Sequence, residues 1–427
     1  MPILAIAARF CLSRTLLLPL LLTGCVGAVA TQAGAREGRP ARVRPGVEVL
    51  LSDSLACVTG KALGLVTNQT GIDSRGRSTA SLLQADKSLR LLRLFSPEHG
   101  LDGSRPAGER VQDEVDPASG LPVTSLYQGS RAVDPALLLG LDQVLFDIQD
   151  IGIRPYTFTS TLAEVMKAAR LAGVEVVVLD RPNPLGGELV SGLTLEPEWA
   201  SFIGLYPVPY LHGMTVGELA RLYNGVFGIG CRLRVIPMSG WTRDMTFDRT
   251  GLPWVPTSPN VPTWDTPLAM SITGPLGELG CVSIGIGTAS PFWEAGAPGV
   301  DTEALVERLD AAQLPGLAFM PWRWTPTLGS WSGKPCQGAR MLVLDPRTLD
   351  PGLCQLAFLE ALQEQLDSLT TGASAQQQTM FKRAMGTGDL LAALQAGGGL
   401  DVLRMRMKDD QRAFRERRRP FLLYPEP

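Results

Sequence analysis

The chain has 427 residues, enough for two globular domains, and its 45% hydrophobic and 19% charged content is that of a packed protein. A formal net charge of −3 supplies no global basic field, which counts against a nucleic-acid partner. Two distant histidines and no CxxC pair leave no zinc-type ligand spacing, so neither a metal nor a cofactor is expected.

The N-terminus carries the first specific signal. Arg9 and Arg14 form a positive leader, residues 15–22 are apolar, and the run closes with Leu22-Thr23-Gly24-Cys25. That apolar run is too short for a permanent span and reads as an export signal over residues 1–24. Small residues before a cysteine match the box at which bacteria attach diacylglycerol, so Cys25 is the expected lipidation site. The other reading is an ordinary signal peptide that contains a cysteine. Two or three acyl chains anchor stably where one holds only marginally. Residues 25–46, rich in Ala, Gly, Arg and Pro, read as a flexible tether. Val26 replaces the Asp that would signal inner-membrane retention. The expected location is the cell envelope, anchored through lipid, facing the periplasm (at the outer membrane where one exists) or the exterior.

Further along, short β-branched apolar runs alternate with helical patterns, the signature of parallel βαβ units and an α/β fold. Residues 62–67 run apolar and break at Asn68-Gln69-Thr70-Gly71, and 89–95 break at Ser96-Pro97-Glu98-His99-Gly100. Residues 143–146 break into a polar stretch holding Gln149, Asp150 and Arg154. A crossover helix is expected over 161–172, with Ser160 or Thr161 as N-cap and Leu162, Val165, Met166, Ala169 and Leu171 at helical spacing. Residues 174–179 form a buried run ending at Asp180-Arg181-Pro182-Asn183. Thr215 and Glu218 have capping-box spacing, which makes Glu218 structural. The basic cluster from Arg404 to Arg419 reads as the solvated face of a terminal helix, with Met405, Phe414 and Phe421 packing inward.

In open parallel sheets the ligand crevice lies outside the carboxyl ends of the strands. These four strand ends would gather Asn68, Glu98, His99, Gln149, Asp150, Arg154, Arg181 and Asn183 along one edge. Any one of them also serves as an ordinary turn cap; together they read as a site. No P-loop and no G-x-S-x-G occurs, and the strand ends lack G-x-G-x-x-G. Carboxylate acid/base chemistry is the remaining candidate.

Several longer runs go further. Residues 64–71 (GLVTNQTG), 95–101 (FSPEHGL), 120–123 (GLPV), 146–154 (FDIQDIGIR), 179–186 (LDRPNPLG), 212–220 (HGMTVGELA), 254–260 (WVPTSPN) and 421–424 (FLLY) resemble the YbbC/NamZ family, in that family's order. The resemblance implies a Rossmann-like catalytic domain over 47–265 and a smaller α/β domain over 266–427 that completes the cleft. It implies exo-acting removal of β-1,4-linked N-acetylmuramic acid from non-reducing ends of peptidoglycan fragments, either muropeptides or the disaccharide with N-acetylglucosamine. It also implies Glu98 as general acid, His99 as its proton relay, and Asp150 as the second carboxylate. Arg154 and Arg181 would bind the lactyl carboxylate in bidentate fashion. Asn68, Asn183 and Asn260 would read sugar hydroxyls, and Gln149, Tyr156, His212 and Glu278 complete the binding set. One stretch departs from the family. In residues 278–288 Cys281 replaces an Asn, while Ile284 and Ile286 replace a Glu and an Arg. Pro155 also takes a position that is usually aromatic. Three outcomes stay open: a muramidase, a glycosidase shifted to another hexosamine, and a lipoprotein that binds glycan without cleaving it.

Overall fold

The computed structural model describes residues 42–106, 108–109, 112–127 and 131–425. The export signal, Cys25 and most of the tether lie outside the described residues. The folded chain begins before residue 47: Val43 is fully buried, its N–H bonds Thr250 O, and Arg44 bridges to Ser239.

The expected strands form around β1 (Ala62–Thr67), β2 (Arg90–Ser96), β5 (Gln143–Asp147) and β6 (Glu175–Leu179). With β3 (Glu114–Val115), β4 (Pro122–Ser125) and β9 (Leu233–Ile236) they make a seven-stranded sheet in the order β3-β4-β2-β1-β5-β6-β9. Every pair is parallel except the edge pair β3–β4. Because both faces are covered, the central strands are apolar throughout rather than alternating. Val144, Phe146, Val176 and Val178 pack on one side with α3 (Phe158–Ala172) and α4 (Val216–Gly225). Leu145, Val177 and Leu179 pack on the other with α1 (Gly46–Asp53) and α2 (Thr79–Ala85). From β1 the chain builds outward to β2 and β4, then returns to place β5 on β1's other side. That reversal puts the crevice between the ends of β1 and its neighbours.

Helix α3 starts at Phe158, three residues before the expected start, with Thr157 at the N-cap. The hydroxyl of Thr157 does not cap the helix; it donates to Glu98. Leu171 points outward and is 75% exposed.

A ribbon of β7 (Ser191–Thr194) and β8 (Pro209–Leu211) carries the first half into the second, with Leu193 packed in the second core. That core gathers α5 (Thr266–Gly277) and an antiparallel sheet of β10 (Glu294–Ala297), β12 (Cys336–Val343) and β11 (Leu317–Trp324). Around them lie α6 (Thr302–Ala311), α7 (Pro351–Gln363), α8 (Ser368–Thr371), α9 (Ala375–Met385), α10 (Asp389–Ala396) and α11 (Leu400–Arg418). The inward face of α11 is Leu400, Leu403, Met407, Gln411, Phe414 and Arg418, a helical spacing that turns Met405 to solvent at 63% exposure. Two expectations change here: Met405 does not pack inward, and Arg418 is buried rather than solvated.

The chain end closes the molecule. Arg418 donates to the carbonyls of Gly187 and His212, and the Leu423 N–H donates to Glu218. Tyr424 gives its hydroxyl proton to Asp180 at 2.6 Å and accepts from the Met238 N–H. Glu218 completes the capping box with Thr215 and also holds Arg243 at 2.7 Å, both side chains fully buried. Removing one partner of a buried ion pair leaves an uncompensated charge, a loss of about 3–5 kcal/mol. Glu218→Ala is therefore expected to lower the unfolding free energy by about that amount in denaturant titration. A loss below about 1 kcal/mol, the level of an exposed pair, would contradict this account.

Candidate active site

The turn after β2 presents Glu98 and His99. His99 adopts φ +71°, a conformation that a side chain tolerates only when its surroundings hold it. Here the ring's Nδ1 lies 2.7 Å from Arg105 O, and the Arg105 N–H bonds back to His99 O, closing the loop. Donors converge on Glu98: the Gly108 N–H reaches Oε1 at 2.8 Å and the Thr157 hydroxyl reaches Oε2 at 2.6 Å. Tyr127, just after β4, hydrogen-bonds the same carboxyl; burial first, then this bond to Glu98, pushes its phenol well above the usual range. Glu98 also lies at the N-terminus of α3, the end that favours negative charge. These donors fix the carboxyl at the edge of the sheet.

Glu98 opens onto a cavity of about 600 Å³, within the usual range for small-molecule sites. The sheet's loops supply Glu98, His99, Tyr156 and Thr157, β8 supplies Tyr210, and the segment leading into α5 supplies Asn260. The second half supplies Glu278 and an apolar wall that includes Val282, Ile284, Ile286, Phe292 and Trp331. Glu278 is the C-cap of α5, and burial raises its pKa above the ordinary carboxyl value. Tyr156 is fixed by donating to Thr257 Oγ1 at 2.8 Å.

Both halves of the chain match known proteins. Residues 63–265 match the family model described as "Exo-beta-N-acetylmuramidase NamZ, N-terminal", and residues 271–424 match its C-terminal counterpart. The peptidoglycan β-N-acetylmuramidase NamZ of Bacillus subtilis is 35% identical over 411 residues, covering 95% of this chain and 97% of that protein. The chain belongs to the NamZ family. Two crystal structures of DUF1343 family proteins from Bacteroides fragilis share this NamZ fold. One superposes with a TM-score of 0.85 at 34% identity and the other with 0.69 at 26%; each match covers 90% of this chain and 99% of the other.

Within this NamZ fold the residues singled out from sequence divide into two groups. Glu98, His99, Tyr156, Asn260 and Glu278 line the cavity. The others stand behind it or beside it. Arg181 and Gln149 border a separate small crevice with Thr70 and Asp73. The Arg181 guanidinium is engaged by Asp147 at 2.5 Å and by Ile72 O, with Asp147 also bonded by Thr79. Gln149 donates to the carbonyls of Asp150 and Pro182. Asn68 folds back onto Thr70, and Asn183 spans Leu185 N–H and Met214 O. Arg154 is 2% exposed and gives Nη2 to Ala384 O, behind the wall rather than on it. Burial lowers its pKa to about 10. His212 is 1% exposed; burial first, then Arg418 and Arg154, lower it to about 3, so the ring is neutral. Its Nδ1 accepts from Met214 N–H, which is a structural role.

The lactyl roles expected of Arg154 and Arg181 therefore change: both guanidiniums are directed into the fold, and the described cavity lining holds neither Lys nor Arg. Tyr127, Thr157, Tyr210 and the wall residues Val282, Phe292 and Trp331 were not singled out as site residues, whereas Ile284 and Ile286 were noted as departures from the family. Tyr127 was within reach of the same rule, since it follows the end of β4.

Asp150 is 4% exposed, with Oδ2 accepting from Gly152 N–H and Oδ1 without a hydrogen-bond partner among the described residues. Burial raises its pKa to about 7, opposed by backbone donors at Gly152 and Ile151. An unfolded aspartate titrates near 3.9. From about pH 4 to about pH 7 the folded protein keeps a proton that the unfolded chain releases, so this contribution is present on the acid side and is lost as pH rises through 7. Thermal unfolding between pH 5 and pH 8 should fall less steeply in Asp150→Asn than in the parent chain. Parallel slopes would show that Asp150 is ionised in the folded state throughout.

Proposed function

We propose that this chain is an exo-acting glycoside hydrolase that removes β-1,4-linked N-acetylmuramic acid from non-reducing ends of peptidoglycan fragments. One observation carries the reading: both family models match in order, and the match to the Bacillus enzyme spans nearly the full length of both chains. The cavity is consistent with it. Glu98 from the sheet and Glu278 from the second half face one space, which is the residue chemistry glycoside hydrolysis uses. A glycan end enters from the open side, and the apolar wall packs on the faces of the ring.

Release of nitrophenol from nitrophenyl β-N-acetylmuramide by a soluble form beginning near residue 42 tests the activity. Turnover is expected, and Glu98→Gln should reduce it by about 10²–10⁴-fold with the thermal transition preserved. Binding of the sugar without turnover would replace the enzyme with a glycan-binding protein.

The proposal extends to location. The charged leader, short apolar run and Leu-Thr-Gly-Cys box support export and lipid attachment at Cys25, with the catalytic part held at the envelope surface. Incorporation of a labelled fatty acid and recovery in the membrane fraction are expected. Both should be lost in Cys25→Ser, and a soluble, unlabelled parent chain would refute the anchor.

A further inference from the structure

The two carboxyl groups facing the cavity sit in opposite electrostatic settings. Glu98 accepts from Gly108 N–H, Thr157 O–H and Tyr127, at the positive end of α3. Glu278 has the reverse. It terminates α5, where the last carbonyls present the negative end of the helix dipole, and no hydrogen bond or ion pair reaches its carboxyl among the described residues. Ile284 lies so close that a Cβ on Gly277 would stand 2.6 Å from its Cδ1, so the apolar loop is laid directly over the end of α5. A part-buried carboxyl with no donor at a helix C-terminus is biased toward its protonated form, and burial moves its pKa upward in the same direction. Asp150 has a raised pKa too, but it does not line the cavity.

We infer that Glu278 is the proton donor to the leaving oxygen and that Glu98 is the proton acceptor on the other side of the scissile bond. This assignment rests on the glycosidase reading above. As the bond from the anomeric carbon to oxygen breaks, its electron pair goes to the leaving oxygen, which takes the proton of Glu278. A water oxygen bonds the anomeric carbon and its proton passes to Glu98. Exchange with solvent then returns a proton to Glu278 and removes one from Glu98.

Leaving groups distinguish the two roles. A sugar alkoxide needs the proton, whereas nitrophenolate leaves without it. Glu278→Gln, which removes no hydrogen bond, should lose about 10²–10⁴-fold in kcat/KM on the disaccharide of N-acetylmuramic acid and N-acetylglucosamine, and less than about tenfold on the nitrophenyl glycoside. Glu98→Gln should lose both. In the parent enzyme the fall in kcat/KM at high pH should be pronounced on the disaccharide and weak on the nitrophenyl substrate, a comparison that needs no variant. Equal losses on both substrates in Glu278→Gln, or none on either, would overturn the assignment while leaving the glycosidase intact. So would identical high-pH limbs in the parent enzyme. A parent chain idle on both substrates would remove the glycosidase reading and this assignment with it.

Discussion

The buried Glu218–Arg243 pair and its neighbour Asp180 are the point on which the two halves of the molecule converge. Asp180 ends β6 and accepts from Thr215 O–H, Gly217 N–H and Tyr424 O–H, while burial lifts its pKa to about 6. Glu218 joins the start of α4 to Arg243 and to the backbone of Leu423. Charges this deep are tolerated only when each lone pair has a donor, and the donors come from distant parts of the sequence. The last residues of the chain are therefore required to complete the interior of the first half. Because the cavity takes one wall from each half, that closure also fixes its shape.

The sheet then divides its polar strand ends between two tasks. The Asp147–Arg181 pair with Thr79 and Ile72 ties neighbouring loops together, and Gln149, Asn68 and Asn183 satisfy turns. Among the described strand ends, the turn after β2 and the segment leading into α3 are the ones that line the large cavity. The polar ends thus form a scaffold with a narrow functional edge, where backbone strain at His99 and the diverted Thr157 hydroxyl both serve the placement of Glu98. Opposite that edge, the isoleucines at 284 and 286 make the environment of Glu278 drier than charged residues would. The electrostatic contrast between the two carboxyls follows from that asymmetry.

Much of this was legible in the sequence. The four central strands, the crossover helix, the capping box of α4 and the placement of Glu98 at a strand end follow from apolar runs, punctuation and cap spacing, all of which are local properties. Glu98 and Glu278 were both identifiable as residues. The roles proposed for them were not, since those rest on donors from Gly108, Thr157 and Tyr127 and on a helix end packed beneath a distant loop. The two arginines show the same limit from the other side. Sequence places Arg154 and Arg181 at the edge where ligands bind, but not the direction of their side chains, and both turn inward to carbonyls or a carboxylate.

What the sequence determined alone was therefore the set of elements, their order and the edge of the sheet that carries polar chemistry, because period, propensity and turn residues act within a few positions of one another. What only the tertiary structure decided was which polar groups face the cavity and which are consumed by the fold. A side chain's partner is set by chain segments hundreds of residues away, as with Tyr424 on Asp180, and no local pattern encodes that distance.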